Sequence, residues 1–370
     1  MTTVNTSDLK QAIKLLASGV GTDQALEGAD SFLFSGGAIH SYNASVSVSV
    51  PLKDTDDKPT NLHGCVKAKT FGSWVAKLKA DSVTFATLPD GSWEITSGKA
   101  QINPTPFADP LTQHLEALNL PSLEWVDLPE GFHSLMALAR LDNQKSNVPF
   151  VLFDGSTAMA SDGLRYNSVD FPEDMGSYAI HTDDLEAVLQ TADLRQVSVS
   201  GAWVHFLTES GIVWTVRKMD GSAYRTDIHG KILAMVEAAI GAEDPRNIAT
   251  DLPEGLGDAV DKLGVYATSD KVSGTVRVDV KITAGGLGLM AARTEGKARE
   301  SLEWPVALPE GVDIDFAVSG PFLKEAGARG LRLHVVYIDG KDKQGNDKTS
   351  MQMAFKGNGF IQVVKMIARV

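Results

Sequence analysis

A single cysteine, Cys65, stands among 370 residues, so no disulfide can close within the chain and no cluster of cysteine thiolates can hold zinc. That usage fits a reducing compartment, and a cytoplasmic location is expected. Cys65, in the run His63-Gly64-Cys65-Val66, reads as a small buried hydrophobe. No apolar run approaches the ~20 residues of a membrane-spanning helix, so no membrane partner is expected. The opening residues, MTTVNTSDLK, lack a basic start followed by an apolar core, and no secretory leader is read there. Positive charge is also scarce: 34 Lys and Arg against 47 Asp and Glu leave a net charge of −13. That balance argues against gripping nucleic acid over the whole surface. It leaves room for a protein that gathers its lysines and arginines on one face.

Catalytic motifs are missing too. There is no G-x-x-x-x-G-K-[ST] loop, no H-E-x-x-H and no G-x-S-x-G elbow, and the eight histidines are scattered without metal-ligand spacing. No enzyme activity, metal or cofactor is expected. Gly286-Leu287-Gly288-Leu289-Met290-Ala291 fits a loose dinucleotide pattern. The alternation of Leu287 and Leu289 suits a strand instead, and Gly296 and Pro305 interrupt any long helix after it. A dinucleotide-binding enzyme is therefore the weakest alternative. The charged runs Asp54–Asp57 and Asp339–Lys348 read as solvated hairpin tips.

What is present is a mixture of short strands and amphipathic helices, an α+β chain. Leu9, Ala12, Ile13 and Leu16 recur at helical spacing over Asp8–Ser18, with Ser7 as N-cap. Phe71–Lys79, Phe132–Leu141, Gly255–Leu263 and Pro321–Ala328 repeat the pattern, and Thr182 caps a helix containing Leu185, Val188 and Leu189. The run Ala44–Val50 alternates strictly, predicting a strand with Val46, Val48 and Val50 on one face. Val197–Val199, Trp203–Leu207 and Val213–Lys218 form a meander, and Gly274–Ile282 and Leu331–Ile338 are further strands. Three stretches share one order of helix, strands, second helix and more strands, each roughly 120 residues, a common domain size. The second opens at Leu128-Pro129-Glu130-Gly131-Phe132 and the third at Leu252-Pro253-Glu254-Gly255-Leu256. The same four residues at Leu308–Gly311 fall inside a unit, so they do not mark the repeat alone. The boundaries fall at 1–124, 125–250 and 251–370, with a helix inserted near 231–241.

Ala160-Ser161-Asp162-Gly163-Leu164-Arg165, following the strand Val151–Asp154, resembles the A-T-D-G-H-R turn of the bacterial-type DNA polymerase sliding clamps. Ser stands for Thr and Leu for His. Tyr178–Leu189, Val216–Arg225, Gly296–Glu300 and Asp315–Leu323 are similar to further stretches of that family, and the final VVKMIARV to its apolar C-terminus. The resemblance covers most of the chain and is weakest in the first unit.

It implies three clamp domains, each with two helices packed on antiparallel sheets, closing into a ring as a head-to-tail homodimer. The ring would encircle double-stranded DNA without sequence preference and tether a replicative DNA polymerase for processive synthesis. DNA-facing candidates are Lys10, Lys14, Lys77, Arg140, Lys324 and Arg329; the acidic stretch Asp183-Asp184-Glu186 departs from that pattern. The polymerase and the clamp loader would dock through short peptide motifs. The matching pocket positions are Ser161, Gly163, Leu164 and Arg165, with Tyr224 and Arg225, and Val364, Met366, Ile367, Ala368 and Arg369. The alternative from another class is a β-rich structural or assembly protein with no role in tethering to DNA.

Overall fold

The computed structural model describes the chain apart from residues 22–25, 107–109, 119, 140–148, 224–225, 266–275, 294–295, 305, 311, 342–343, 365 and 367–370. One order of elements runs through it three times. The first pass is β1 (Thr2–Asn5), α1 (Thr6–Leu16), β2 (Ser31–Ser35), β3 (Ala38–Tyr42), β4 (Val46–Pro51), β5 (Gly64–Lys67), α2 (Ala68–Ala76), β6 (Ser82–Thr87), β7 (Trp93–Ser97) and β8 (Ala100–Ile102). A connecting helix, α3 (Thr112–Ala117), leads to the second. That pass is β9 (Val126–Asp127), α4 (Phe132–Ala139), β10 (Phe150–Asp154), β11 (Thr157–Ser161), β12 (Arg165–Asp170), β13 (Ser177–His181), α5 (Thr182–Val188), β14 (Leu194–Ser200), β15 (Trp203–Thr208) and β16 (Val213–Met219). The connector α6 (Thr226–Gly241) precedes the third: β17 (Ile248–Asp251), α7 (Leu256–Gly264), β18 (Arg277–Thr283), β19 (Gly286–Arg293), β20 (Gly296–Leu302), β21 (Ile314–Ser319), α8 (Gly320–Ala328), β22 (Arg332–Lys341), β23 (Asp347–Gly357) and β24 (Phe360–Val364).

Strand pairing repeats with the order and is antiparallel throughout. The opening strand of each repeat joins the strand after its second helix: β1 with β6, β9 with β14, β17 with β22. The four-strand groups run β4-β3-β2-β5 in the first repeat and β20-β19-β18-β21 in the third. The chain divides into two compact units, Met1–Ala137 with Tyr178–Asp220, and Leu138–Ser177 with Gly221–Val370. In the first unit β16 pairs with β4, and in the second β24 pairs with β12. Each is the last strand of one repeat against the third group strand of the repeat before it.

The two Leu-Pro-Glu-Gly sequences start helices in the same way. Gly131 and Gly255 take φ of 77° and 78°, a left-handed backbone in which a side chain is strained. Phe132 N donates to Pro129 O at 3.1 Å and Leu256 N to Pro253 O at 3.4 Å, closing the turn. Leu135 N and Ala259 N then reach the glycine carbonyls at 2.9 and 3.0 Å, the first α-helical bonds. In the first unit, Phe34 sits edge-on to Phe71 and Trp93, with centroids 5.8 and 5.3 Å away, so aromatic rings fill the space between β2, α2 and β7.

Several details differ from the sequence expectations. Asn5, not Ser7, is the N-cap of α1; no side chain caps it, and Thr6 N instead donates to Asp81 O at 2.8 Å. His181, not Thr182, caps α5, its Nδ1 accepting from Asp183 N at 3.2 Å, while Thr182 is buried. The helix placed at Phe71–Lys79 occupies Ala68–Ala76, and the helix near 231–241 begins earlier, at Thr226. β4 carries Val46, Val48 and Val50 on one face as the alternation predicts, and the serines between them are buried as well. Val46 to Val50 are all buried, because β3 and β16 flank the strand and α1 packs on it. Ser49 Oγ is satisfied there by His40 Nδ1 at 2.7 Å. The strand expected from Ile361 to the C-terminus is β24, Phe360–Val364, and residues 365 and 367–370 lie outside the described residues. The Gly286–Ala291 run lies in strand β19.

Candidate functional site

The turn that joins β11 to β12 is built by its own side chains. Asp162 Oδ1 accepts from Leu164 N at 2.9 Å and from Arg165 N at 2.6 Å, and Ser161 Oγ accepts from Gly163 N at 3.1 Å. These bonds hold the loop as an Asx turn. They also fix where Arg165 starts, at the first position of β12, opposite Val364 of β24. Val364 is buried, while Leu164 and Met366 are half-buried. The second unit thus brings Ser161, Gly163, Leu164, Arg165 and Val364 into one neighbourhood. Tyr224, Arg225, Ile367, Ala368 and Arg369 lie outside the described residues.

Arg165 is not a loose cation. Its Nε donates to Asp162 Oδ2 at 2.8 Å and its Nη1 to Glu325 Oε2 at 2.6 Å, and its guanidinium lies 4.1 Å from the centroid of Phe322. Glu325 in turn receives Arg329 Nη2 at 2.7 Å, and Arg329 Nη1 donates to Leu138 O at 3.3 Å. Carboxylates and guanidiniums alternate along this chain, so each charge has a partner of opposite sign. The chain ties the β11–β12 turn to α8 and to the end of α4. A second line runs beside it. Gln362 Nε2 donates to Asn167 Oδ1 at 3.0 Å, and Asn167 Nδ2 donates to Leu138 O and Ala139 O at 3.1 and 3.2 Å. Both side chains are fully buried, and Asn167, held by Gln362, serves the carbonyls at the end of α4, Leu138 O together with Arg329. Sequence reading missed Glu325, Phe322, Asn167 and Gln362. The one signal for the last two is an amide side chain inside a strand, where such residues are depleted.

The basic candidates fall into different surroundings. Lys10 on α1 is half-buried and donates to Leu78 O at 2.7 Å, just beyond the end of α2. Lys14 and Lys77 are exposed. Lys324 is held by Asp261 at 2.6 Å and Arg329 by Glu325. Arg140 lies outside the described residues. On α5, Asp183 and Glu186 are exposed, and burial raises the carboxyl pKa of Asp184, with His181 opposing the shift. Among the described residues, no group of three or more His, Cys, Asp or Glu side chains is placed to hold a metal ion, and Cys65 is buried.

No family model and no curated protein matches the chain. Solved structures do. The DNA polymerase sliding clamp of Bacillus subtilis aligns over 100% of this chain and 99% of its own, at 13% identity and a TM-score of 0.74. The beta subunit of the Streptococcus pyogenes DNA polymerase covers 99% of both chains at 15% identity, with a TM-score of 0.72. The Helicobacter pylori beta clamp bound to a DNA ligase peptide covers 99% of both at 14% identity and also scores 0.72. With its thrice-repeated order of elements, this chain has the fold of the bacterial DNA polymerase sliding clamps.

Proposed function

We propose that this chain is a DNA sliding clamp: two copies close head to tail around duplex DNA, and the ring tethers a DNA polymerase for processive synthesis. The observation that carries the reading is the pairing rule between repeats. The last strand of the second repeat, β16, covers β4, and the last strand of the third, β24, covers β12. By the same rule β8, the last strand of the first repeat, needs a partner in the position of β20, the third group strand of the third repeat. Among the described residues, β8 and β20 each end a four-stranded sheet. Open sheet edges are unpaired rows of donors and acceptors, which proteins avoid leaving exposed. A second copy supplies the missing strand at both ends, and the same heterologous contact made twice closes a ring of six domains. The domains are 1–124, 125–250 and 251–370.

A closed ring needs no tight grip, because linkage to the DNA holds it in place. Weak, sequence-independent attraction to phosphates suffices and lets it slide. This reconciles a net charge of −13 with a DNA-bound function. The neighbourhood of Ser161, Gly163, Leu164, Arg165, Val364 and Met366, with Tyr224, Arg225, Ile367, Ala368 and Arg369, is the docking pocket for short apolar-aromatic motifs of the polymerase and of a clamp loader. The peptide-bound Helicobacter pylori clamp supports that assignment. In this role the chain is a non-catalytic scaffold working in the cytoplasm.

Cysteine pairs placed across the two open edges test the reading, for example Gln101→Cys on β8 with residues 297–301 of β20 replaced one at a time. The native Cys65 is buried and does not interfere. Oxidation in the presence of nicked circular DNA should give covalent dimers that stay on the circle in 1 M salt and leave when it is linearised. Covalent dimers released equally from circular and linear DNA contradict a ring around the duplex.

A further inference from the structure

We infer that one helix pair of each chain, α1 with α2, provides the grip on the DNA, and that the other two pairs add little attraction. The inference rests on the clamp reading and concerns where the phosphates are held. The charged side chains set the three pairs apart. On α1 and α2, Lys14, Lys69 and Lys77 are exposed, and among the described residues no carboxylate pairs with them. Lys79 follows, also exposed. Lys10, hydrogen-bonded to Leu78 O, adds its charge where the α2 dipole is negative. Asp8 is the one acidic side chain on the two helices.

These lysines form a coherent face. Lys10 meets Leu78 beyond the end of α2, and Ile13 lies against Gly72 in its middle, where an added Cβ would come within 3.3 Å of Ile13 Cγ2. The helices therefore run antiparallel and close together. On α2 and its C-cap the exposed stripe is Lys69, Ser73, Ala76 and Lys77, and its two lysines stand about 12 Å apart at ~1.5 Å rise per residue. On α1 it is Ser7, Gln11 and Lys14. Short side chains between the lysines let a phosphate backbone come near, and hydroxyl and amide groups add uncharged donors.

The other pairs lack this. The exposed charges of α5, Asp183 and Glu186, are acidic and repel phosphate; Asp183, in the first turn, suits the positive end of its own helix. Phe132–Ala139 of α4 contains no lysine or arginine; Arg140, the residue after it, lies outside the described residues. On α7 and α8 every cation is committed: Lys262 to Glu300 at 3.7 Å, Lys324 to Asp261 at 2.6 Å, Arg329 to Glu325 at 2.7 Å.

The test is binding of a fluorescein-labelled 30-base-pair duplex, read by anisotropy across a salt series from 20 to 200 mM. Each phosphate contact contributes about 0.9 to the slope of log K against log salt. Replacing Lys14, Lys69 and Lys77 together by Ala should cost at least tenfold in affinity at low salt and flatten the slope by about 2–3. Replacing Lys262 and Lys324 by Ala should change affinity less than twofold, and Asp183→Asn with Glu186→Gln should strengthen binding. Equal losses from both lysine sets, an unaffected α1–α2 variant, or no detectable binding by the wild type at 20 mM salt would each overturn the inference. Negative-stain images report on the clamp reading separately. Rings with equal losses sink only the asymmetry, and losses confined to α1–α2 without rings sink only the clamp.

Discussion

Replacing Arg165 by Met removes a charge and keeps an apolar stem of similar length over Phe322. The structure makes this substitution costly. Arg165 is 7% exposed and faces two carboxylates. Removing one partner of a buried ion pair typically destabilises by about 3–5 kcal/mol, because the other charge stays behind unpaired. Here the side chain of Asp162 is 12% exposed, but that of Glu325 is 30% exposed and keeps Arg329. The expected loss is therefore about 2–4 kcal/mol. Glu325→Gln leaves one carbonyl oxygen where two carboxylate oxygens each accept from a different arginine, so one guanidinium loses its acceptor and the cost should be about 1–3 kcal/mol. The double variant should fall short of the sum by about 1–2 kcal/mol, the signature of two residues in one network. Urea titrations give the global values. Hydrogen exchange at the amides of Leu164 and Arg165 reports the local ones, which matters because two compact units can unfold separately. A loss for Arg165→Met below about 0.5 kcal/mol, with unchanged exchange at those amides, would refute the view that this arginine is locked into the fold.

His205 lies fully buried on β15 with Nδ1 against Thr215 Oγ1 at 2.9 Å, and burial pushes its pKa down to about 4. The folded chain resists protonating it, so its contribution to stability is complete above about pH 6.5 and is lost as pH falls toward 4, up to about 3 kcal/mol. Urea midpoints at pH 7 and pH 4.5 should differ less in His205→Gln than in the wild type; equal differences would contradict this. Gly286→Ala should destabilise the third repeat by about 1–3 kcal/mol, since a Cβ there would sit 2.6 Å from Leu302 O, which thermal unfolding can check. Leu164→Asp or Met366→Asp should weaken an apolar-aromatic peptide at least tenfold by calorimetry, an unchanged affinity removing these residues from the pocket.

The parts of the fold legible in the sequence were those written in local spacing. Helical periodicity gave the helices to within a few residues, and the two Leu-Pro-Glu-Gly starts, with their left-handed glycines, marked equivalent points of two repeats. What escaped depended on contacts far along the chain. Glu325, which holds Arg165, is 160 residues away, and Gln362 lies 195 residues from Asn167. Nothing in a local window shows that an arginine in a turn will be neutralised by such a partner. The Val-Ser alternation of β4 placed Val46, Val48 and Val50 on one face, but it could not show that the serine face is covered too, since that depends on strands and a helix elsewhere in the chain. Lys14 and Lys324 look alike in sequence as helix-surface lysines, and only the neighbouring helix distinguishes them, by placing Asp261 against one of the two.

The most direct test of the central claim is negative-stain electron microscopy of the purified chain at micromolar concentration, with and without mild crosslinking. The account predicts six-lobed rings with an open centre wide enough for duplex DNA. Compact particles without a hole, persisting after crosslinking, would contradict it.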